Sequence, residues 1–261
     1  MKAVTTLQAK ISTKTLKVSC LLLFISILSH AAIPENACTQ DSKQIYDGRL
    51  TLNTTKLSPS EEALFKEKVL PSVRNWHEQE SELVCNPGFE ATAIDIAQGA
   101  FTRPKSDQRA ILYSYCVTGH NMALNGIAII DNDQVVAHIV YEGAWNNAIG
   151  AMPDLNGNGL SEILVASGGT NQGITRASIS IIELSGNGVM KFGWTETFSD
   201  NCGGGDDNCK AEASRLSVKA GKTPVFYREA FVNKDGGKWV RSGTPRHISL
   251  KMDETQYELI K

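Results

Sequence analysis

Past residue 31 the chain offers no apolar run long enough to cross a bilayer, no excess of positive charge, and none of the short motifs that mark the commoner active sites. Each absence excludes something. A membrane-spanning helix needs ~20 apolar residues, and the apolar run at 18–28 (VSCLLLFISIL) stops at 11. Nucleic acid and anionic membrane surfaces both require a basic patch. With the four lysines before residue 18 set aside, the 26 basic residues fall to 22 against 28 acidic ones, a formal charge of −6. There is no Gly-x-Ser-x-Gly elbow for a serine nucleophile. There is no His-Glu-x-x-His zinc pair either, because His77-Glu78-Gln79-Glu80 lacks the second histidine. Nor is there a phosphate-cradling loop: Gly203-Gly204-Gly205 runs into Asp206-Asp207, which repel a phosphate.

What is present begins with a targeting segment. Lys2, Lys10, Lys14 and Lys17 precede the apolar run, Ser29-His30-Ala31 follows it, and no acidic residue occurs before Glu35. Basic, apolar, then small is the order of a cleavable signal peptide over 1–31. The expected cut falls after Ala31 or one residue later, leaving a secreted or periplasmic mature chain with no membrane span. Cys20 sits at the start of the apolar run, where a lipid-attachment cysteine cannot be. Five cysteines remain: Cys38, Cys85, Cys116, Cys202 and Cys209. In an oxidising compartment Cys202 and Cys209, separated by GGGDDN, are expected to pair. The other three allow at most one further bridge, which the sequence does not choose. The cysteine left over is expected to be buried as a small hydrophobe.

Residues 32–90 read as an irregular and helical N-terminal extension. Ser58, Pro59 and Glu61 form a capping box. Leu64, Phe65, Val69, Val73 and Trp76 then make one apolar stripe at helical spacing, with Pro71 expected to kink or split it. From 91 to 261 the period changes to short strands between turn residues. They are expected at 91–97, 110–117, 124–130, 135–141, 162–166, 177–184, 189–198, 214–218, 225–232, 239–241, 247–250 and 257–260. Asn132-Asp133 and the 185–188 segment read as hairpin turns. Connections this short leave no room for crossover helices, so the sheets should be antiparallel. The expected fold is mainly β, a propeller-like assembly or a sandwich, with a short helical N-terminal extension.

One loop carries chemistry. In Asp154-Leu155-Asn156-Gly157-Asn158-Gly159-Leu160-Ser161-Glu162 an oxygen donor recurs at every second position. Ca²⁺ takes about six to eight hard oxygens. Asp154, Asn156 and Asn158 supply side-chain oxygens, Leu160 a backbone carbonyl, and Glu162 closes the set. Gly157 and Gly159 permit the left-handed turns that wrapping an ion requires. An EF-hand is excluded because its twelfth position would be Val165. A metal-free turn rich in Asp and Asn is the competing reading; the fixed spacing with two glycines predicts the ion.

The nine-residue spacing, followed at once by the strand Glu162-Ile163-Leu164-Val165-Ala166, resembles the calcium loop of FG-GAP and VCBS repeats over about 150–185. The resemblance implies Ca²⁺ bound at Asp154, Asn156, Asn158, Leu160 and Glu162, and blades of a β-propeller. Asn158 and Glu162 stand where the family usually has Asp. Two carboxylates then face the ion, which predicts an affinity on the order of 10⁻⁴ M or weaker. Only one such loop occurs, so an irregular assembly with one repeat is expected rather than a closed ring.

Two function classes follow. The first is an exported, non-enzymatic, calcium-stabilised module that binds a protein or a carbohydrate. The second is a secreted or periplasmic hydrolase using Asp95, Asp131, Asp133 and Glu142 as paired carboxylates. Trp145, beside Asn146 and Asn147, is expected to cap the sheet as a core aromatic; stacking on a sugar or anchoring a protein partner is the alternative. His138, alternating with Val136, Ala137 and Ile139, is expected to be a satisfied sheet residue.

Overall fold

The computed structural model describes residues 41–260 apart from 51–53, 120–121, 186–187, 205–208 and 235–236. The signal segment 1–31 and Cys38 lie outside the described residues, as does Gly186-Asn187 of the expected second hairpin.

Ser58 caps the first helix as its sequence dictates. Its side chain accepts from Glu61 N, and the Glu61 carboxylate accepts from Ser58 N at 2.7 Å. Helix α1 spans Pro59–Leu64, a π turn covers Phe65–Val69, and α2 continues over Leu70–Glu80. Pro71 has no N–H to donate, and its ring would strike the carbonyl four residues back in a regular helix. The wider π turn ahead of it makes room, so the expected split is a local unwinding between α1 and α2. Leu64, Phe65, Val69, Val73 and Trp76 are all buried, forming the stripe their spacing predicts.

The described residues form fourteen strands, one before the helices and thirteen after them. They are β1 (Lys43–Asp47), β2 (Thr92–Gly99), β3 (Gln108–Gly119), β4 (Met122–Asp131), β5 (Gln134–Ala144), β6 (Asn146–Ala151) and β7 (Ile163–Asn171). Next are β8 (Ile174–Ser185), β9 (Gly188–Asp200), β10 (Lys210–Lys219), β11 (Val225–Lys234), β12 (Val240–Arg241), β13 (Arg246–Ile248) and β14 (Glu258–Leu259). Every expected strand is present; β1 and β6 were not foreseen. The first sheet runs β12-β11-β10-β9-β8-β7-β6, with β1 on β10 and β13 on β11; the second runs β14-β5-β4-β3-β2. Pairing is antiparallel throughout, and neither sheet closes into a barrel. The fold is mainly β, and its two sheets pack face to face as a sandwich.

Three apolar cores stack the layers. The helical stripe covers one face of the second sheet, against Ile111, Tyr113, Leu124 and Val140. The other face of that sheet, with Leu112, Ile127 and Ile139, meets Ile163, Val165, Ile182 and Leu184 of the first. The first sheet then bends where β9 and β10 share only the pairs from Ala211↔Asp200 to Ala213↔Phe198. Its two halves enclose Leu155, Leu164, Ile179, Ile181, Leu216 and Phe226. Residues 32–90 are therefore no separate extension in the part described. The helices form an outer layer on the β body, and β1 lies within a sheet.

Two disulfides cross-link the chain. Cys202–Cys209 is the pair expected, and Cys85–Cys116 is the bridge the sequence left open; it ties the segment after α2 to β3. Among the described residues no helix is long and apolar enough to cross a membrane.

Candidate functional site

The 154–162 loop is built by its own carboxylate and amide side chains. Gly157 and Gly159 adopt φ of +86° and +87°, which lets the chain wrap around the Asp154 side chain. Asp154 Oδ1 accepts from Gly157 N at 2.6 Å and Asn158 N at 3.2 Å, and Oδ2 accepts from Gly159 N at 2.7 Å. Asn156 Oδ1 accepts from Asn158 N, and Asn158 Oδ1 from Leu160 N. Leu155 anchors the loop: it is fully buried between the halves of the first sheet, and its carbonyl accepts from Gly221 N in the β10–β11 turn at 2.8 Å.

Glu162 turns inward just before β7. Its side chain is wholly buried, and both carboxylate oxygens accept from Leu155 N, at 3.0 and 2.9 Å. A second wholly buried carboxylate reaches the loop from β8. Glu183 Oε2 accepts from Asn156 Nδ2 at 2.7 Å and Asn158 Nδ2 at 2.9 Å, while Glu183 Oε1 is buried without a hydrogen-bond partner. Burial pushes the Glu162 carboxyl up to about 7, and the neighbouring Glu183 and Asp154 charges add to the rise against the backbone hydrogen bonds that oppose it. For Asp154 burial also acts upward, but the N–H groups of Gly159, Gly157, Asn158 and Asn156 outweigh it and hold the carboxyl below its ordinary value.

The fold therefore gathers Asp154, Asn156, Asn158 and Glu162 around one loop and adds Glu183. Asn156 Oδ1 and Asn158 Oδ1 each accept one backbone N–H, which leaves a second lone pair on each oxygen. The carboxylates do not close on a common point: among the described residues, the one group of His, Cys, Asp and Glu ligand atoms all within 4.8 Å of one another is His77, Cys85 and Cys116. Two of those are consumed in a disulfide, and His77 Nε2 lies 2.9 Å from the Leu83 carbonyl. Glu183 was invisible to the spacing argument because it is 21 positions beyond Glu162 in the chain. Its signal was a single acid among the isoleucines and leucine of 179–184, blurred by the bulge between Ile181 and Ile182.

The four acids weighed for hydrolysis do not share a cleft in this way. Asp95 is buried and accepts from the N–H groups of Thr55, Ile96 and Ile149, pinning β2 to β6. Asp131 meets Arg103 and Gln108, Asp133 meets Arg109, and Glu142 takes the Thr118 hydroxyl. Each is a structural group with its own partner.

Trp145 corrects its expectation. It does not cap the core; it sits in the link between β5 and β6 with 47% of its surface exposed. The inward position is taken instead by Asn146, whose amide donates to the Tyr141 hydroxyl at 2.7 Å and whose Oδ1 accepts from Ser167. Trp145 borders a hollow of about 530 Å³ that it shares with Trp194, and a second hollow of about 600 Å³ adjoins it along Ser167, Ser178 and Trp194.

Fold and loop together define a class: a helix-covered, disulfide-linked β sandwich with an acid-rich Asx loop backed by a buried glutamate. Comparison with family models, curated proteins and solved structures finds no match to the chain.

Proposed function

We propose that the protein is an exported, non-enzymatic β module that binds a protein or carbohydrate partner, and that Ca²⁺ held by the 154–162 loop stabilises it. The observation carrying this reading is the pair of wholly buried carboxylates, Glu162 and Glu183, one with an unpartnered oxygen. Among the described residues neither is in an ion pair with a lysine or arginine. Burying carboxylates without a counter-charge costs several kcal/mol each, and a divalent cation removes that cost. The donors are all hard oxygens, which suits Ca²⁺ over a softer metal. In this reading Asp154, Asn156, Asn158, the Leu160 carbonyl and Glu162 close on the ion when it binds, since the carboxylates share no common point without it, and Glu183 supplies charge from β8. The likeness of 150–185 to FG-GAP and VCBS loops supports the same assignment. The two disulfides fit an oxidising compartment.

The ion supplies positive charge. The chain's own residues do the rest: Leu155 seats the loop in the core, Gly157 and Gly159 bend it, and Glu183 ties it to β8. The test is thermal unfolding of the mature chain with calcium and with chelator. At about 100-fold excess over a Kd of ~10⁻⁴ M the gain is about 2.7 kcal/mol, or roughly 5–10 °C in Tm. Equal midpoints would remove the calcium.

A further inference from the structure

The same face of the first sheet changes character along its length. On β7, Ile163 and Val165 point into the inter-sheet core and Ser167 and Gly169 continue the alternation beyond it. On β8, Leu184 and Ile182 give way to Ser180 and Ser178, paired across the ladder as Val165↔Ser180 and Ser167↔Ser178. On β9 the partners of Ser180 and Ser178 are Trp194 and Glu196. Apolar side chains are thus used where the second sheet covers this face, and serine, glycine and tryptophan border the two hollows where it does not.

We infer that this groove is a binding site for a neutral glycan chain, with the exposed Trp145 indole as the platform for a pyranose ring. The inference rests on the reading of the protein as a partner-binding module and names the class of partner. A sugar ring presents an apolar C–H face and a rim of hydroxyls, and the groove presents both complements. Trp145 offers a flat aromatic face, 47% exposed. Among the described residues the hydroxyls of Ser178 and Ser180 and the amides of Asn171 and Gln172 have no hydrogen-bond partner, and all four line the hollows. In the second hollow Asp253 is held by Thr255 N and the Tyr257 hydroxyl, and the Tyr257 ring packs tilted against Tyr141 with centroids 4.8 Å apart. Lys251 lies over the Trp194 ring at 4.6 Å, in the second hollow.

Charge and topology select among ligands. Arg176 is paired with Glu196, and Lys251 faces Asp253 and Glu254 in the second hollow, so the groove has no cationic surplus for a sulfated or phosphorylated chain. A peptide bound as an added strand takes its affinity from backbone bonds at a sheet edge. This groove lies on a sheet face centred on β8, whose backbone groups are used on both sides by the ladders to β7 and β9. Both hollows fall within the range of about 300–1,000 Å³ usual for ligand sites.

The test is native gel electrophoresis of the mature chain through gels containing hydroxyethyl cellulose, xylan, galactomannan or a soluble β-1,3-glucan, with heparin and denatured casein gels beside them. At least one neutral polysaccharide should retard the protein. Trp145→Ala should weaken that retention at least about fivefold, the loss expected from one stacking contact. Gly169→Phe should weaken it as well by filling the groove, since a Cβ at Gly169 meets nothing within 4 Å and the backbone there can carry a side chain. Retention by none of the neutral polymers, or retention untouched by both substitutions, overturns the inference. Retention by casein or heparin alone overturns it too. The calcium reading is judged separately by the melting shift: a shift without retention sinks only the glycan, and retention without a shift sinks only the calcium.

Discussion

Glu183 and His138 are both buried in strands, and each gives a residue-scale test. Replacing Glu183 by Gln removes a buried charge whose Oε1 has no partner. In chelator Glu183→Gln should therefore melt higher than the wild type, and in calcium it should show a smaller upward shift. A variant that lowers the melting point in both conditions would show that the carboxylate serves packing alone. His138 is 2% exposed, its Nε2 is 2.6 Å from the Tyr113 hydroxyl, and burial depresses its pKa to about 4. The unfolded chain takes up this proton near pH 6.5, before the folded one does. The contribution of neutral His138 is thus intact above about pH 6.5 and is lost as pH falls toward 4, by roughly 3 kcal/mol in all. The stability of wild type relative to His138→Gln should fall by that amount between pH 7 and pH 4 in denaturant titrations; a constant difference would place the imidazole in contact with water. At this scale the sequence disclosed what is local. The Asp154–Glu162 spacing sits within one turn and could be read directly. Glu183 and the outward turn of Trp145 depend on a bulge and a strand link that alternation does not encode.

Strands and turns follow local chemistry more closely than the site does. Asn132 and Asp133 take φ of +48° and +59°, the left-handed pair of a tight hairpin, and their side chains favour that geometry. The matching turn between β7 and β8 uses Gln172 at +50° and Gly173 at +79°, and glutamine gives no such signal in the sequence. Gln172→Asn should relieve that conformation by about 1 kcal/mol and raise Tm by about 2–4 °C; no change would mean that the groove side of Gln172 already compensates. The disulfides divide the same way. Cys202–Cys209 closes a separation of 7 residues and was legible, whereas Cys85–Cys116 spans 31 and was one of several choices. In the chain-entropy account the longer loop is worth roughly 3–4 kcal/mol and the shorter roughly 2–3. Serine replacement of the Cys85–Cys116 pair should therefore lower the urea midpoint further than replacement of Cys202–Cys209, and the reverse order would assign the stability to local structure in the 202–209 loop.

Across the whole molecule, the layers fix what can unfold alone. Strand lengths, antiparallel pairing and the helical stripe were available from periodicity. That the stripe is the lid of the second sheet was not, because which faces meet is set by contacts between residues far apart in the chain. Val69 and Val73 are wholly buried against a core that includes Tyr113, Leu124 and Val140, and Trp76 Nε1 donates to Glu258 Oε1 at 2.8 Å, joining α2 to β14. A helix that shares a core with a sheet cannot leave without exposing it. Val69→Ala combined with Val73→Ala removes four methyl groups, worth roughly 3 kcal/mol at about 0.8 each, with a further cost for the cavities left behind. The loss should appear as one cooperative transition at a lower midpoint, with helical circular dichroism and tryptophan fluorescence changing together when both are followed on a Trp76→Phe background, where the remaining tryptophans, Trp194 on β9 of the first sheet among them, lie outside the helices. If the helical signal melts first while the tryptophan signal keeps its wild-type midpoint, the helices are an independent cover and the second sheet holds without them.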